Sequence, residues 1–502
     1  MAMERSISKK LYTLFLIVFL VIFLWLLVNI LVHGDRYQLL YIIAMFLISG
    51  ILLLIFMKLR KRIDSISEGK FRLLMLSLFL IFTALLMVTG YLLTQVLVLD
   101  LKVVYESIPD LLDNMVMDRY SHYYVVCNNN VGLLLLLGGF FRVMKIFGVS
   151  VTDDAGLTAA ICFNAFMIML SVAFLVLTAK RIYERKSTVL LVFLVCAFCP
   201  VFYLFTPVFY TDTLSSPFVT ATIYIYILAR GSKTFTKRML LLLLATLTAF
   251  LGFALKGSVG VLVVAIVIHL FIDRRDSILR TISASLCVVS LFSLMYLSYR
   301  YWQRNSGFID FSREEEVGLP FGLWFLYGSH LPGYYSEEDL QYCISFEGLE
   351  ARREAVNAKI WENYRSYTFT EYVSMATEKA VMTWSDGKYD ADVFLCTPYR
   401  VNFTHHIILA GQPLYMPYTI YANGYHLMSL VLLCYGMFGR IRKKGTAELD
   451  IVYITIFGVM LFFNFWETTP RYLLNILPLI CLVAADGIRD VSELSGRKQK
   501  KT

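Results

Sequence analysis

The chain has 502 residues, 58% of them hydrophobic, and its mean hydropathy is +0.66. This composition excludes a soluble globular domain and indicates an all-α polytopic membrane protein, because many apolar runs reach the roughly 20 residues that span a bilayer. The formal net charge of +9 does not indicate nucleic-acid binding, since most of the surplus lies in short loops, where positive charge sets membrane topology.

The N-terminal part is predicted to cross the membrane three times. The first apolar run, 11–32, is too long for a signal-peptide core and lacks a small-residue cleavage site, so we expect a retained helix. Further spans are predicted at 38–58 and 73–98, and the basic loop between them indicates a cytoplasmic location. The first outer loop is then 99–128. Its acids are Asp100, Glu106, Asp110, Asp113 and Asp118.

Two apolar segments, 129–147 and 156–179, precede a strongly basic run at 180–186. Basic runs favour the cytoplasm, but two full crossings from an outer loop would place this one outside. The first segment carries two glycines, an arginine and a lysine. We therefore predict that 129–147 lies in the outer interface or re-enters it without spanning.

This choice predicts about twelve spans, with both termini in the cytoplasm. It divides the chain into a transmembrane module at 1–299, an extracytoplasmic loop domain at 300–417, and C-terminal helices with a basic tail at 418–502. In the loop domain, 349–383 has helical periodicity that is broken near Thr368. The later spans are predicted at 156–179, 188–206, 213–229, 239–255, 257–272, 279–299, 418–438, 450–466 and 472–488.

The nine cysteines show no spacing typical of metal ligands. Cys196 and Cys199 form a CxxC pattern inside an apolar run, where buried core thiols are expected. Cys343 and Cys396 both lie in the second outer loop, and the sequence leaves open whether they pair.

One acid, Asp212, lies in the polar junction LFTPVFYTDTLSS between two apolar runs. A carboxylate at membrane depth is unfavourable unless it lines a wet cavity, so it is a functional candidate. The alternative is a helix N-cap, because Thr211, Asp212 and Thr213 are all capping residue types.

The predicted topology brings five charged residues to the outer face, each at the end of a span. A carboxylate near a hydroxyl can act as a general base, and cations can take up charge on a phosphate leaving group. Simpler interpretations stay open: a lysine can snorkel to the interface, an acid can be a plain loop residue, and Asn128 to Asn130 can form a turn and cap. The five residues are Asp100, Asp212, Lys256, Glu467 and Arg471.

Several motifs occur in order along the chain. They are Asp100 at the start of the first outer loop, Asn129-Asn130-Val131-Gly132, Tyr210-Thr211-Asp212, Lys256-Gly257, Trp384-Ser385-Asp386-Gly387, and Glu467-Thr-Thr-Pro-Arg471-Tyr472.

This set resembles the GT-C superfamily of membrane glycosyltransferases, most closely the bacterial family 39-like enzymes of the PMT and ArnT type, which use polyprenyl-phosphate sugars. The asparagine pair is similar to a "YPNNIG" segment of that family, although Cys127-Asn128 stands where the family has Tyr-Pro. Tyr210-Thr211-Asp212 resembles its "YTD" acid, and Arg471-Tyr472 resembles its closing "RY…LP" helix.

The resemblance implies a GT-C fold and sugar transfer from a polyprenyl-phosphate donor to a glycan, lipid or protein acceptor outside the plasma membrane. It implies Asp100 as the base, Lys256 and Arg471 as donor-phosphate ligands, and Asp212 as a residue that binds acceptor or metal or positions the first loop. A lone first acid does not imply a metal requirement, so a divalent cation stays open. The further site candidates are Asn129, Asn130, Tyr210, Glu467 and Tyr472.

Three other functions remain open from the sequence. A lipid-linked oligosaccharide transporter would have polar groups through the midplane and often repeated halves. A polymerase or ligase of the O-antigen type would use arginines of a large outer loop. A non-catalytic scaffold would bind a partner through that loop. The loop arginines that keep the second function open are Arg352, Arg353, Arg365 and Arg400.

Overall fold

A computed structural model describes residues 2–33, 37–113, 120–273, 276–442 and 447–498, with side chains from 10 to 493. Over these residues the chain is all α-helical apart from turns and one isolated β-bridge, which confirms the predicted fold class. Asp118 of the first loop and the end of the basic tail lie outside the described part.

The N-terminal half consists of long apolar helices joined by short irregular segments. Its helices are α1 (Ala2–Val32), α2 (Gln38–Ser65), α3 (Glu68–Leu92), α4 (Leu99–Glu106), α5 (Ile108–Asp113), α6 (Ser121–Val126), η1 (Asn128–Asn130), α7 (Val131–Ile146), α8 (Asp154–Ile182), α9 (Lys186–Ala197), α10 (Pro200–Leu204), α11 (Thr211–Leu214), α12 (Ser216–Arg230), α13 (Phe235–Leu255), η2 (Gly257–Gly260), α14 (Val261–Ile272) and α15 (Ile278–Asn305).

The second large loop forms short helices, and a final bundle of long helices follows it. These helices are α16 (Glu314–Val317), α17 (Leu323–Gly328), α18 (Glu337–Ile344), α19 (Leu349–Ser366), α20 (Phe369–Ser385), α21 (Ala391–Phe394), α22 (His405–Ile408), α23 (Tyr415–Ile441), η3 (Ala447–Leu449), α24 (Asp450–Phe465), η4 (Pro470–Ile476) and α25 (Leu477–Lys498).

Nine helical segments in the described part of the chain are long and apolar enough to cross a membrane. One of them is Asn128–Ile146, so length and composition do not distinguish it from the other eight candidates, and its re-entrant placement stays a prediction. Predicted span 188–206 is broken into α9 and α10, because Pro200 cannot continue the hydrogen bonding of α9. The count of about twelve spans also stays a prediction.

Close helix packing brings the C-terminal bundle against the N-terminal hairpin of α1 and α2. A Cβ atom built on Gly424 of α23 would lie 2.5 Å from the Ala44 side chain and 3.1 Å from the Met45 backbone of α2. Glycine is therefore required for this approach, as at small-residue contacts between membrane helices.

The second large loop is folded and is anchored to the helix bundle. The predicted break near Thr368 is confirmed: Thr368 ends the α19–α20 connection and caps α20 through a capping box with Glu371. Lys379 on α20 is buried and donates to the carbonyl oxygens of Gly328 (2.6 Å) and Asn464 (2.9 Å). It thereby ties the loop to the end of α24.

The cysteines in the structure are free thiols. Cys343 is buried and Cys396 is exposed, so the two do not pair. Cys196 and Cys199 are fully buried in the bundle, in agreement with their prediction as core thiols.

Candidate functional site

Asp212 lies at an interruption of the helix bundle, on the four-residue helix α11. The irregular segment before it is held by Asn164 of α8, whose amide nitrogen contacts the carbonyl oxygens of Phe205, Thr206 and Val208 at 2.8–3.2 Å. Because one buried amide satisfies three backbone carbonyls, the segment is fixed without regular helix. Asp212 therefore projects from a rigid position.

The Asp212 carboxylate holds two cations. Its side chain is 4% exposed, and its Oδ1 is ion-paired with Lys256 Nζ while its Oδ2 lies 3.4 Å from Arg471 Nη1. Tyr210 occupies the N-cap position of α11, and no side chain caps this helix. The N-cap interpretation of Asp212 is therefore wrong.

Lys256 follows the last residue of α13, where the backbone becomes extended before η2. Its side chain is 11% exposed, and its ammonium group lies 4.2 Å from the centre of the Tyr472 ring. A snorkelling lysine would place this group in solvent, so that alternative is wrong. Burial of the charge is compensated by Asp212 and by the negative face of the ring.

Arg471 is the second residue of η4, directly after Pro470, whose fixed φ favours a helix start. Its guanidinium carbon lies 5.5 Å from the Tyr210 ring centre, 5.3 Å from that of Phe394 and 5.1 Å from that of Tyr472. Three rings and one carboxylate thus orient the guanidinium group. The sequence did not indicate Phe394, which ends the four-residue helix α21 of the second large loop.

The helix breaks that carry the two cations are joined directly. Ser258, two residues after Lys256, accepts a 3.0 Å hydrogen bond from the side chain of Asn475 in η4. Both partners are buried. This bond between two side chains joins η2 to η4 and so helps to fix the position of Lys256 relative to Arg471.

Asp100 lies in the first turn of α4 and is half-buried. Leu99 before it has φ 54°, in the left-handed region that non-glycine residues rarely adopt. The Tyr210 hydroxyl lies 3.0 Å from Asp100 Oδ2 and 3.2 Å from Asn130 Oδ1. Tyr210 therefore connects the first-loop acid to the segment that carries Asp212.

The two asparagines contribute through their side chains. Asn130 is fully buried, donates to the Tyr123 hydroxyl at 2.6 Å, and receives a longer 3.4 Å contact from Asn129. Asn130 occupies the N-cap position of α7 but makes no capping hydrogen bond, because its side chain points to Tyr123 and Tyr210. The turn interpretation is correct for the backbone, and the cap interpretation is wrong.

Glu467 completes the set and connects it to the second large loop. Its carboxylate accepts a hydrogen bond from the Tyr472 hydroxyl, and burial raises the pKa of this carboxyl group above its ordinary value. Its backbone N–H donates to the carbonyl oxygen of Trp324 at 2.9 Å, and the next residue, Thr468, bonds in the same way to Gly333 at 2.8 Å.

A strained turn of the second large loop borders Arg471. Tyr389 and Asp390 both have positive φ, 59° and 57°. Burial raises the pKa of Asp390 to about 6; the neighbouring Asp386 carboxylate adds to the rise, whereas the positive charge of Arg471 opposes it. The sequence did not indicate Asp390, since an acid in a loop rich in charges gives no local signal.

All nine residues named from the sequence lie in one connected cluster, which we term the Asp212 cluster: Asp100, Asn129, Asn130, Tyr210, Asp212, Lys256, Glu467, Arg471 and Tyr472. Two cations share one carboxylate, so the ion pairs leave positive charge beside Asp212. A second carboxylate, Asp100, stands across Tyr210. Such a site can hold an anionic group and, next to it, accept a proton.

In the part of the chain with described side chains, no group of three or more His, Cys, Asp or Glu residues is arranged to hold a metal ion.

Residues 142–302 match the model of the family described as dolichyl-phosphate-mannose-protein mannosyltransferase. The match confirms the resemblance to GT-C membrane glycosyltransferases over this segment. The matched segment contains Asp212 and Lys256, whereas Asp100 and Arg471 lie on either side of it. No curated protein matches the sequence of the chain.

Three solved structures are similar to the chain at low identity. An Archaeoglobus fulgidus oligosaccharyltransferase tethered with an acceptor peptide is 10% identical, with a TM-score of 0.43, over 81% of this chain and 49% of that one. ArnT from Cupriavidus metallidurans bound to undecaprenyl phosphate is 12% identical, with a TM-score of 0.34. The match covers 82% of this chain and 77% of that one. The A. fulgidus oligosaccharyltransferase AglB, in complex with an inhibitory peptide and a dolichol-phosphate, is 10% identical, with a TM-score of 0.36. The match covers 82% of this chain and 50% of that one. The chain spans about half the length of the archaeal oligosaccharyltransferases it matches.

Proposed function

We propose that this membrane protein, whose residues 142–302 match the mannosyltransferase family, moves a hexosyl or pentosyl group from a polyprenyl-phosphate donor to an acceptor of the cell envelope. The acceptor is a glycan, lipid or protein hydroxyl. The Asp212 cluster is the active site and faces the extracytoplasmic side of the plasma membrane. Residues 1–299 and 418–502 form the membrane module, and 300–417 form the extracytoplasmic loop domain over it.

The single observation that supports this proposal best is the buried pair of cations on one carboxylate. Lys256 and Arg471 both contact Asp212, so the three groups carry a net charge of one positive unit. A polyprenyl-phosphate sugar is a phosphodiester with one negative charge. Its binding would neutralise the net charge of these three groups, in a site where screening by water is weak.

In the proposed reaction the two cations bind the phosphate and Asp100 receives the proton. The acceptor oxygen forms a bond to the anomeric carbon of the sugar, and the bond from that carbon to the phosphate oxygen breaks. The leaving polyprenyl phosphate takes the electron pair, and Lys256 and Arg471 stabilise its growing charge. The acceptor's proton moves to the Asp100 carboxylate, which Tyr210 orients from 3.0 Å.

Two of the four loop arginines, Arg352 and Arg353, make contacts within the loop and give the polymerase alternative no support. Arg352 donates to two backbone carbonyl oxygens, those of Phe346 and Gly318, at 3.0 and 2.9 Å. Arg353 pairs with Glu350 on the surface of α19. These arginines stabilise the loop itself, whereas the cations of the Asp212 cluster line the bundle.

The proposal is tested with the purified full-length protein in lipid nanodiscs. Undecaprenyl phosphate carrying a radiolabelled hexose or pentose is supplied together with a cell-envelope fraction, and we expect acceptor-dependent release of undecaprenyl phosphate. Asp212→Asn should abolish release. Glu350→Gln, which removes an exposed carboxylate from α19, is the control and should retain it. Failure of the wild type to consume any donor, or equal rates for Asp212→Asn, would contradict the proposal. A transporter would instead move the donor intact.

A further inference from the structure

The ring of Tyr472 contacts both cations of the Asp212 cluster. Lys256 Nζ lies 4.2 Å from the centre of this ring, and the guanidinium carbon of Arg471 lies 5.1 Å from it. The face of an aromatic ring is its negative part, so it attracts both charges. Tyr472 is thus a second contact that the two cations share, besides Asp212. Because the ring is neutral, it holds the cations without cancelling their charge.

The orientation of this ring is set by two other contacts. The Tyr472 hydroxyl donates a hydrogen bond to the carboxylate of Glu467, five residues earlier in the chain. The ring also packs on Phe463 of α24, with the two ring centres 5.5 Å apart. The ring is therefore held through its hydroxyl as well as by packing.

Glu467 is in turn fixed by the second large loop. Its side chain is buried, and its backbone N–H donates to the carbonyl oxygen of Trp324 at 2.9 Å. The next N–H, that of Thr468, donates to the carbonyl oxygen of Gly333 at 2.8 Å. The buried hydroxyls of Thr468 and Thr383 lie 3.0 Å apart. A continuous series of contacts therefore leads from the loop through Glu467 and Tyr472 to the two cations.

The proposed transfer reaction gives neither Glu467 nor Tyr472 a role. We propose that both are positioning residues for the donor phosphate. Tyr472 acts by holding Lys256 and Arg471 with its ring, and Glu467 acts only through the Tyr472 hydroxyl. This inference rests on the proposed function of the Asp212 cluster. It makes the second large loop part of the phosphate site, although none of the loop's own side chains binds the phosphate.

The charge of Glu467 and its positioning role have opposite effects on phosphate binding. A buried carboxylate close to a phosphate site repels the phosphate. By charge alone, removal of Glu467 should therefore strengthen the binding of undecaprenyl phosphate. Loss of the hydrogen bond to Tyr472 should instead weaken it, because the ring no longer holds the cations in place. The sign of the change thus distinguishes the two effects.

The experiment compares variants of the full-length protein in nanodiscs. Glu467→Leu removes the acceptor of the hydrogen bond, whereas Glu467→Gln removes the charge but keeps an acceptor oxygen. Tyr472→Phe removes the hydroxyl and keeps the ring, and a double variant combines Glu467→Leu with Tyr472→Phe. Tyr425→Phe is the matched control, since it removes the hydroxyl of another tyrosine, which is buried and donates to the Val195 carbonyl oxygen at 2.5 Å.

Binding of undecaprenyl phosphate is measured by native mass spectrometry. Glu467→Leu and Tyr472→Phe should each raise the dissociation constant by about 3- to 30-fold, through weaker contacts between the ring and the cations. The double variant should bind no more weakly than Tyr472→Phe, because Glu467 has no other route to the cations. Glu467→Gln should bind at least as tightly as the wild type, to within about 2-fold, and Tyr425→Phe should match the wild type.

Tighter binding by Glu467→Leu would overturn the inference, since the charge of Glu467 would then outweigh its bond to Tyr472. Losses that multiply in the double variant, or equal losses in Glu467→Leu and Glu467→Gln, would also overturn it. A loss of the same size in Tyr425→Phe would assign the effect to stability and not to positioning.

Thermal melting checks the fold of each variant. If Glu467→Leu does not fold, wild-type affinity in Tyr472→Phe overturns the inference. A wild type that binds no undecaprenyl phosphate contradicts the proposed function and this inference together. A wild type that binds it, with losses that multiply in the double variant, overturns the inference alone.

Discussion

Arg471 offers the sharpest test of phosphate binding, because the structure separates its role from that of its neighbour. Its hydrogen bond to Asp212 is long, 3.4 Å, whereas Lys256 contacts the same carboxylate closely. In Arg471→Ala the carboxylate keeps Lys256 as its partner, so the variant should fold. The guanidinium has five N–H donors, and the bond to Asp212 occupies one of them.

The expected loss of affinity follows from the number of bonds to the phosphate. A hydrogen bond to a charged group contributes about 1.5–3 kcal/mol, so loss of a bidentate contact in Arg471→Ala removes about 3–6 kcal/mol. This corresponds to a dissociation constant that is at least about 100-fold larger. Arg471→Lys keeps the charge but loses the fork geometry, and should weaken binding by about 10- to 100-fold.

The assay is the binding of undecaprenyl phosphate to the protein in nanodiscs, followed by native mass spectrometry over a range of lipid concentrations. Arg353→Ala is the control, since Arg353 is exposed on α19 and pairs with Glu350. Thermal melting checks the fold of each variant. Equal affinity for the wild type, Arg471→Lys and Arg471→Ala would remove Arg471 from the phosphate site and refute the charge argument.

Three further predictions concern the base, the topology and a buried lysine. Asp100→Asn keeps the shape of the side chain but removes the charge, so turnover should fall by a factor of about 10²–10⁴ while undecaprenyl phosphate binding persists. Asp110→Asn is the control. A loss of turnover confined to Asp110→Asn would identify a different base. The topology is tested by labelling single cysteines in a background without native cysteines. A cysteine that replaces the exposed Glu184 should be labelled only from the cytoplasm, and one that replaces Glu350 only from outside. Labelling of position 184 from outside would refute the re-entrant placement of 129–147. Burial lowers the pKa of Lys379 to about 7. Between about pH 7 and 10 the unfolded chain therefore binds a proton at this residue that the folded chain lacks. Stability rises with pH in this range, so Lys379 should make the melting temperature rise with pH. Lys379→Met should reduce that rise, and an unchanged pH dependence would show that Lys379 is charged when folded.

The sequence predicted the members of the site better than their contacts. Asp212, Lys256 and Arg471 each interrupt an apolar run, and a charge in such a run is detectable from composition alone. Their pairing joins residues 44 and 259 positions apart, and no local pattern encodes such a distance. The N-cap and snorkelling alternatives predict the same charges at the same positions, so only the structure could reject them.

Residues of the second large loop were predicted least well. Phe394 and Asp390 border Arg471, but they lie in a stretch that mixes aromatic and charged residues without periodicity. Lys379 lies within the predicted helical region, where a lysine is expected on the solvated face. It is buried because α20 packs against α1 and η4, a tertiary contact that overrides the local pattern.

The ion pairs of Asp212 have a consequence for the biogenesis of the protein. Lys256 leaves the ribosome 44 residues after Asp212, but Arg471 follows only after 259 residues. At about 5–20 residues per second, the acid waits about 10–50 s for its second partner. During that interval the nascent bundle contains a single Asp212–Lys256 pair, held by Asn164 and the helix break at η2. The early pair protects a buried charge from remaining alone in the membrane, and the cluster is completed when η4 brings Arg471 to Asp212.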